Sequence, residues 1–345
     1  MTKERSSFSS YEKHINLLTS TVDSPLSTAY PGADDVLTND TSSGIRAWRP
    51  PRLLLTLLGD YWWQREEQLP SAALVALLTE FGVSDTAARA ALSRLVRRGL
   101  LVTSKHGRQT FYRLSERAAN VFNDGARRIF SFGLHSRSWD GVWSLVAFSI
   151  PEENRQLRYV LRDRLRWLGF APLYDGLWVS PRDSLSDAAS QLAELSISTT
   201  TLFRAHIVDG TSEAGLPRQA WDLEALRAHY QQFIHDVQPL SLRIKNGTLS
   251  PEEALKVRTR IMDVWQGFLA MDPDLPDQIL PPDWPRERAR QLFIETYDEL
   301  GPLAQRRVQQ IIARYAPDLA SNATYHSSSD ALLASGPVGQ PPPSR

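Results

Sequence analysis

The 345-residue chain contains no cysteine. That absence excludes disulfides, thiolate nucleophiles, iron–sulfur clusters and cysteine-bound zinc. Long apolar runs are also missing. The purely apolar stretches are only a few residues, such as Leu53–Leu55, against the ~20 that a membrane helix needs. No basic, apolar leader opens the chain. The expectation is a cytoplasmic protein with no membrane partner. Nor does the sequence carry G-x-S-x-G, G-x-x-x-x-G-K-[ST] or G-x-G-x-x-G, the signatures of a nucleophile elbow, a P-loop and a dinucleotide site. Its seven histidines (His14, His106, His135, His206, His229, His235 and His326) form no H-x-x-x-H pair. His229 and His235 are six apart on a predicted helix and do not share a face. The acid pairs Glu152–Glu153 and Glu252–Glu253 fall at expected helix starts, where carboxylates complement the dipole. These absences predict no metal, no cofactor and no enzyme. Net charge is missing too, at zero overall. Spread evenly, that balance would argue against a polyanionic partner.

The charge is not spread evenly. Residues 1–45 hold three bases and six acids, net −3, while residues 46–118 hold twelve bases and six acids, net +6. Nothing acidic stands between Asp85 and Glu116, an interval with Arg89, Arg94, Arg97, Arg98, Lys105, Arg108 and Arg113. Such a one-sign run is the footprint of an element that binds a polyanion. A solvated basic face is the competing reading.

The order of elements around that run narrows the choice. A helix is expected from Pro51, with Leu53, Leu54, Leu57 and Leu58 on one side. Ser71 is placed to cap AALVALLTEF, which Gly82 ends. Ser84 is placed to cap DTAARAALSRLVRRG, whose stripe Ala88, Ala91, Leu92 and Leu95 has helical spacing and which Gly99 stops. LLVTSK, HGR and QTFYRL then read as strand, turn, strand. Helix, short turn, helix and ribbon is the order of a winged helix-turn-helix, in which the second helix enters the major groove. The candidate DNA-binding residues are Ser84, Thr86, Arg89, Ser93, Arg94 and Arg97 on that helix and Lys105, His106 and Arg108 on the wing. A helical bundle with a hairpin and no DNA role is the alternative.

The rest of the chain reads as two further regions with tails. The fold class expected is α+β multidomain: an N-terminal winged helix-turn-helix, a central ferredoxin-like α/β domain and a C-terminal helical domain. The boundaries are a disordered Ser/Thr-rich arm (1–45), the DNA-binding domain (46–118), a linker helix (119–138), the central domain (139–212), the helical domain (213–320) and a disordered tail (321–345). In the central domain WSLVAFSI, EENRQLRYVLRDRLRWLGF, pieces around Leu177–Ser180, a helix near Leu185–Leu195 and Thr200–Val208 alternate strand and helix. In the helical domain DLEALRAHYQQFIHDV, SPEEALKVRTRIMDVWQGFLA and RERARQLFIETYDELG flank a proline-rich crossing, MDPDLPDQILPPDWP.

Specific strings resemble one family. PRLLLTLLGDYWW, LPSAALVALLTEFGVSDTAARAALSRLVRRGLL and GRQTFYRLSERA are similar to the DNA-binding domain of the PaaX family of repressors of phenylacetate catabolism and their relatives. WDGVWSLVAFSIPEENRQLRYVLRDRLRWLGFAPLYDGLWVSPRD resembles its central domain, and DPDLPDQILPPDWP a signature of its C-terminal domain. The resemblance implies a homodimeric repressor that binds operator double-stranded DNA and is released by an aryl-acyl-CoA, phenylacetyl-CoA in the founding cases. A thioester of this kind needs cations beside an aromatic-lined pocket. Arg158, Arg162 and Arg166, spaced i, i+4, i+8, with Trp167 and Trp178 nearby in sequence, are the candidate effector residues. The competing reading has these arginines solvated or paired with acids.

Two departures stand out. The central domain also resembles the small nuclease of CRISPR adaptation, which needs an acid at the end of its first strand, and this chain has Ser149, Ile150 and Pro151 there. Where a glycine commonly follows the Trp-Pro motif, this chain has Arg286. A metal-dependent nuclease, and a DNA-binding adaptor with no small-molecule effector, are the alternatives to the repressor.

Overall fold

The computed structural model describes residues 48–134, 139–197, 199–207 and 215–334. The expected arm (1–45) lies outside the described residues, as do 135–138 of the expected linker and 335–345 of the expected tail. The described chain is mixed α+β with two small sheets.

It opens with α1 (Pro50–Trp62), β1 (Leu69–Pro70), α2 (Ser71–Thr79), α3 (Asp85–Arg97), β2 (Leu101–His106), β3 (Gln109–Leu114) and α4 (Glu116–Ser131). A proline in its first turn starts α1, where the missing N–H leaves no helical bond unmade. Ser84 caps α3, its Oγ accepting the Ala87 N–H at 3.3 Å. Ser71 does not cap α2. It is the first helical residue and Pro70 stands at the cap, because Leu69 and Pro70 are drawn into the sheet beside Tyr112 and Phe111. That short third strand was not legible in the sequence. β2 and β3 pair in unbroken register from Leu101↔Leu114 to His106↔Gln109. Gly107 turns the corner at φ +62°, the left-handed region that suits glycine.

Next come β4 (Trp143–Phe148), α5 (Arg155–Trp167), β5 (Ala171–Tyr174), β6 (Leu177–Ser180), α6 (Leu185–Glu194) and β7 (Thr200–Ala205). The chain continues with α7 (Gly215–Ala220), α8 (Leu223–Lys245), α9 (Pro251–Met271), α10 (Arg286–Ala313) and α11 (Ser328–Ala334). The strand expected to reach Val208 ends at Ala205. β5 is a strand the sequence reading lacked: Pro172 interrupts its alternation, and a register shift follows Pro172. Helices α8 and α10 run through Pro239 and Pro302, past the points where they were expected to stop. At Gly301 the missing side chain makes room for the Tyr325 ring, which an added Cβ would overlap. That glycine therefore serves packing and does not end the helix.

The described residues form two compact units, one of residues 48–134, 232–269 and 288–334, the other of 139–197, 199–207, 215–231 and 270–287. In the first, the helices after residue 231 hold the N-terminal elements. Trp265 stacks on Phe293 with centroids 4.6 Å apart, and Phe130, Phe233 and Phe268 surround the pair. Arg307 forks onto Glu80 at 2.8 and 3.0 Å. Residues 321–334, expected in the tail, are ordered here. Thr324 N–H donates to the Tyr61 carbonyl at 3.2 Å, and Ser328 Oγ donates to Asp298 at 2.6 Å. Their Ser-rich composition resembles that of a tail, but Ala323 and Ala331 are buried, and that burial orders them.

In the second unit the strands run β5-β6-β4-β7, each antiparallel to its neighbour. One face packs on α5 and α6 through Val146, Phe148, Trp178, Leu161, Leu165 and Leu192. On the other face, Trp143 and Val179 pack against Leu223, Leu275 and Ile279.

Candidate nucleic-acid interface

The polar face of α3 and the β2–β3 hairpin make one exposed basic surface. The apolar stripe Ala88, Ala91, Leu92 and Leu95 is buried, so helical geometry turns Thr86, Arg89, Ser93, Arg94 and Arg97 outward, and all five are exposed. Lys105, His106 and Arg108 are exposed at the hairpin end. The first unit's helical buttress engages α1, the end of α2 and α4, through Asp60, Glu80 and Phe130, and leaves this surface uncovered.

The residues differ in what holds them. Ser84 is exposed, but its oxygen is committed to the helix cap. Arg89 Nε donates to both carboxylate oxygens of Asp85, at 2.8 and 3.1 Å. Among the described residues no acid pairs with Arg94, Arg97, Lys105 or Arg108. The His106 ring stands edge-on to Phe111 at 5.1 Å, which braces the hairpin tip. Two members of the basic run leave the surface. Arg113 is half-buried and donates to the Leu114 carbonyl at 3.2 Å, and Arg98 is half-buried at the end of α3. Asp85 was missed as a partner for Arg89, although its i, i+4 spacing was a usable signal.

Of the five effector candidates, Arg158, Arg162, Arg166 and Trp178 are not brought together in an open site. Arg158 pairs with Glu152 at 3.0 Å, Arg162 with Asp175 at 2.8 Å and Arg166 with Asp163 at 3.0 Å. Trp178 is 1% exposed within the core under α5, with Arg166 over its ring at 5.5 Å. The side chain of Trp167 lies outside the described residues. The physical reason is strand alternation: along β6 Trp178 faces the helices and Val179 the opposite side of the sheet. The second unit does hold an open cleft of about 660 Å³, lined by Trp139, Ser144, Arg182, Asp183, Arg204 and Asp274 among others. Arg204 pairs there with Asp183 at 2.5 Å. Among the described residues no group of three or more His, Asp or Glu is placed to hold a metal ion, and no helix is long and apolar enough to cross a membrane.

Three family models match the chain in succession. Residues 49–118 match the "PaaX-like protein" model, 136–217 the "PaaX protein central Cas2-like domain" and 221–310 the "PaaX-like protein C-terminal domain". The transcriptional repressor PaaX of Escherichia coli K12 is 31% identical over 258 residues, covering 73% of this chain and 80% of that protein. An uncharacterized protein of Mycobacterium tuberculosis with a solved structure is 26% identical, with a TM-score of 0.48, over 74% of this chain and 95% of that one.

Proposed function

Because the chain belongs to the PaaX family, we propose that it is a sequence-specific DNA-binding transcriptional repressor. The observation that carries this reading is the exposed basic surface shared by α3 and the β2–β3 hairpin. In this reading residues 48–118 are a winged helix-turn-helix, with α3 in the major groove and the hairpin as the wing. Residues 139–207 are a ferredoxin-like scaffold, as the strand order supports. A homodimer pairs two half-sites across a two-fold axis. The family's effector enters here as well: an aryl-acyl-CoA such as phenylacetyl-CoA binds the DNA-free state and releases the operator. Besides the α5 arginines, the cleft with Trp139, Arg182 and Arg204 is a second candidate site for such a ligand, whose phosphates would have to displace Asp183 from Arg204.

The test is fluorescence anisotropy with a duplex from the protein's own upstream region and a scrambled duplex as control. Arg89→Ala and Arg94→Ala should each weaken upstream-region binding by ~1–3 kcal/mol more than scrambled binding, the discrimination of one bidentate base contact. Equal losses on both duplexes would assign these residues to phosphates. Phenylacetyl-CoA, phenylacetate and acetyl-CoA are then titrated against the complex, and release by the aryl thioester alone is expected. Tenfold weaker binding needs ~1.4 kcal/mol of coupling, which is ordinary for allostery. Arg162→Ala and Arg204→Ala, compared in the same titration, separate the helix face from the cleft.

The wing should act through phosphates. A Lys105→Ala, Arg108→Ala double variant is expected to flatten the salt dependence of binding, by about 0.9 in the log–log slope for each lost contact. An unchanged slope would remove the hairpin from the interface.

A further inference from the structure

From residue 85 to residue 115 the sequence holds one acid, Asp85, and the structure exposes it on the face of α3 that carries the basic side chains, 54% accessible. A carboxylate there is repelled by phosphates. Asp85 opens α3, where a carboxylate complements the helix dipole, and an exposed i, i+4 ion pair adds a little more; neither role requires the way it holds Arg89. The geometry of the pair supplies a further one. Both carboxylate oxygens take the same hydrogen, Nε–H of Arg89. The two terminal nitrogens, Nη1 and Nη2, make no hydrogen bond among the described residues. Those two nitrogens form the end of the planar fork, the edge that matches O6 and N7 of guanine in the major groove. An unrestrained arginine surrenders several rotamers on binding, whereas Arg89 is held at its Nε with that edge presented. Arg94 and Arg97, on the same face, have no such restraint.

We propose that Asp85 is a positioning residue for sequence specificity, holding Arg89 by Nε so that its Nη edge reads one guanine of the operator half-site. The proposal rests on the DNA-binding reading above. It makes an acid on a DNA-facing surface favour the right sequence while weakening binding to every sequence.

The experiment selects duplexes from a random-core library with the full-length wild-type chain. Dissociation constants are then measured for the selected duplex, for single-guanine replacements within it and for a scrambled duplex. In the wild type, one guanine should be worth about tenfold or more in affinity. Asp85→Ala should cut that preference several-fold, because Arg89 must then surrender its rotamers on binding, and should tighten binding to the scrambled duplex. Asp85→Asn, which keeps an acceptor oxygen, should retain part of the preference. Arg89→Lys, which keeps the charge without the fork, should lose it. Loss of the first-turn carboxylate should cost at most about 1 kcal/mol of stability, and a purely structural role would leave the base preference unmoved. If Asp85→Ala keeps the full guanine preference, or tightens selected and scrambled duplexes equally, the positioning role is wrong and DNA binding stands. If the wild type discriminates among no duplexes, the DNA-binding reading itself fails and the role of Asp85 falls with it.

Discussion

Arg258→Ala should destabilise the first unit by ~3–5 kcal/mol, the usual consequence of removing one partner of a buried ion pair. Arg258 is fully buried in the middle of α9. Its Nε donates to the Tyr297 carbonyl at 3.1 Å and its Nη2 to the His326 carbonyl at 3.0 Å. Nη1 lies 3.4 Å from Asp60 Oδ2, and the Tyr297 ring stacks under the guanidinium carbon at 3.7 Å. Tyr297 Oη closes the cluster by donating to Asp60 Oδ1 at 2.7 Å. Burial already pushes the Asp60 carboxyl above its ordinary pKa, against the pull of Arg258. Without the guanidinium, that carboxylate and two carbonyls lose their partner together. Arg258→Lys should recover little, since an ammonium cannot span three acceptors in a plane. Asp60→Leu combined with Arg258→Met should recover much, because an apolar pair of similar volume often replaces a buried ion pair without loss. Urea unfolding followed by tryptophan fluorescence measures the three variants against the wild type. A loss below about 1 kcal/mol for Arg258→Ala would show that water reaches the cluster. The cluster joins α1, α9, α10 and the segment before α11, so operator binding should fall with stability, the exposed basic surface of α3 and the hairpin being untouched.

Arg286→Ala should have a comparable effect on the second unit, again ~3–5 kcal/mol. Its guanidinium sits 3.6 Å from Asp272, 3.2 Å from Asp274 and 3.0 Å from Asp277, and donates to the Leu275 carbonyl at 3.3 Å. Tyr230 Oη adds a hydrogen bond to Asp272 at 2.6 Å. Three carboxylates of the proline-rich crossing thus converge on one cation, and between them Leu275 is held against Trp143 and Val179 on the open face of the sheet. Removing the cation leaves like charges together, and the crossing should lift from the sheet. The defect should depend on pH with a definite sign. Burial raises the Asp272 pKa even with Arg286 present, and loss of Arg286 raises it further. A carboxyl whose folded pKa exceeds its unfolded value binds more protons when folded. The deficit is therefore full at neutral pH and should shrink as pH falls through the raised pKa toward the unfolded value near ~4. Thermal melts of wild type and variant at neutral and mildly acidic pH measure it, and a deficit that grows on acidification would contradict the clamp. In this chain Arg286 is the keystone of the crossing.

The legible parts of this protein were those that depend on neighbours in sequence. The stripe of α3 and its Ser84 cap, the Leu101–Leu114 hairpin and the outward face of arginines follow from helical and strand periodicity, which operate within a few residues. The charge run between Asp85 and Glu116 marked the basic surface for the same reason. Even there, sequence overcounted. Arg113 bonds a backbone carbonyl and Ser84 spends its oxygen on the cap, and one-dimensional counting cannot distinguish a solvated group from a committed one.

Tertiary structure decided the rest. Arg258 looked like any basic residue of an amphipathic helix, yet its partners Asp60, Tyr297 and His326 lie 198, 39 and 68 residues away, beyond the reach of any periodicity. The Ser-rich stretch from Ser321 read as a tail because composition scores local hydrophobicity, whereas Ala323 and Ala331 are buried against distant helices. Trp178 read as a ligand wall and lies in the core, since whether a tryptophan faces ligand or packing depends on which segments come to cover its side of the sheet. Local chain stiffness and charge alternation are written into sequence. Burial is a property of segments meeting, and it alone determined which of this chain's charges became structural and which remained available to bind.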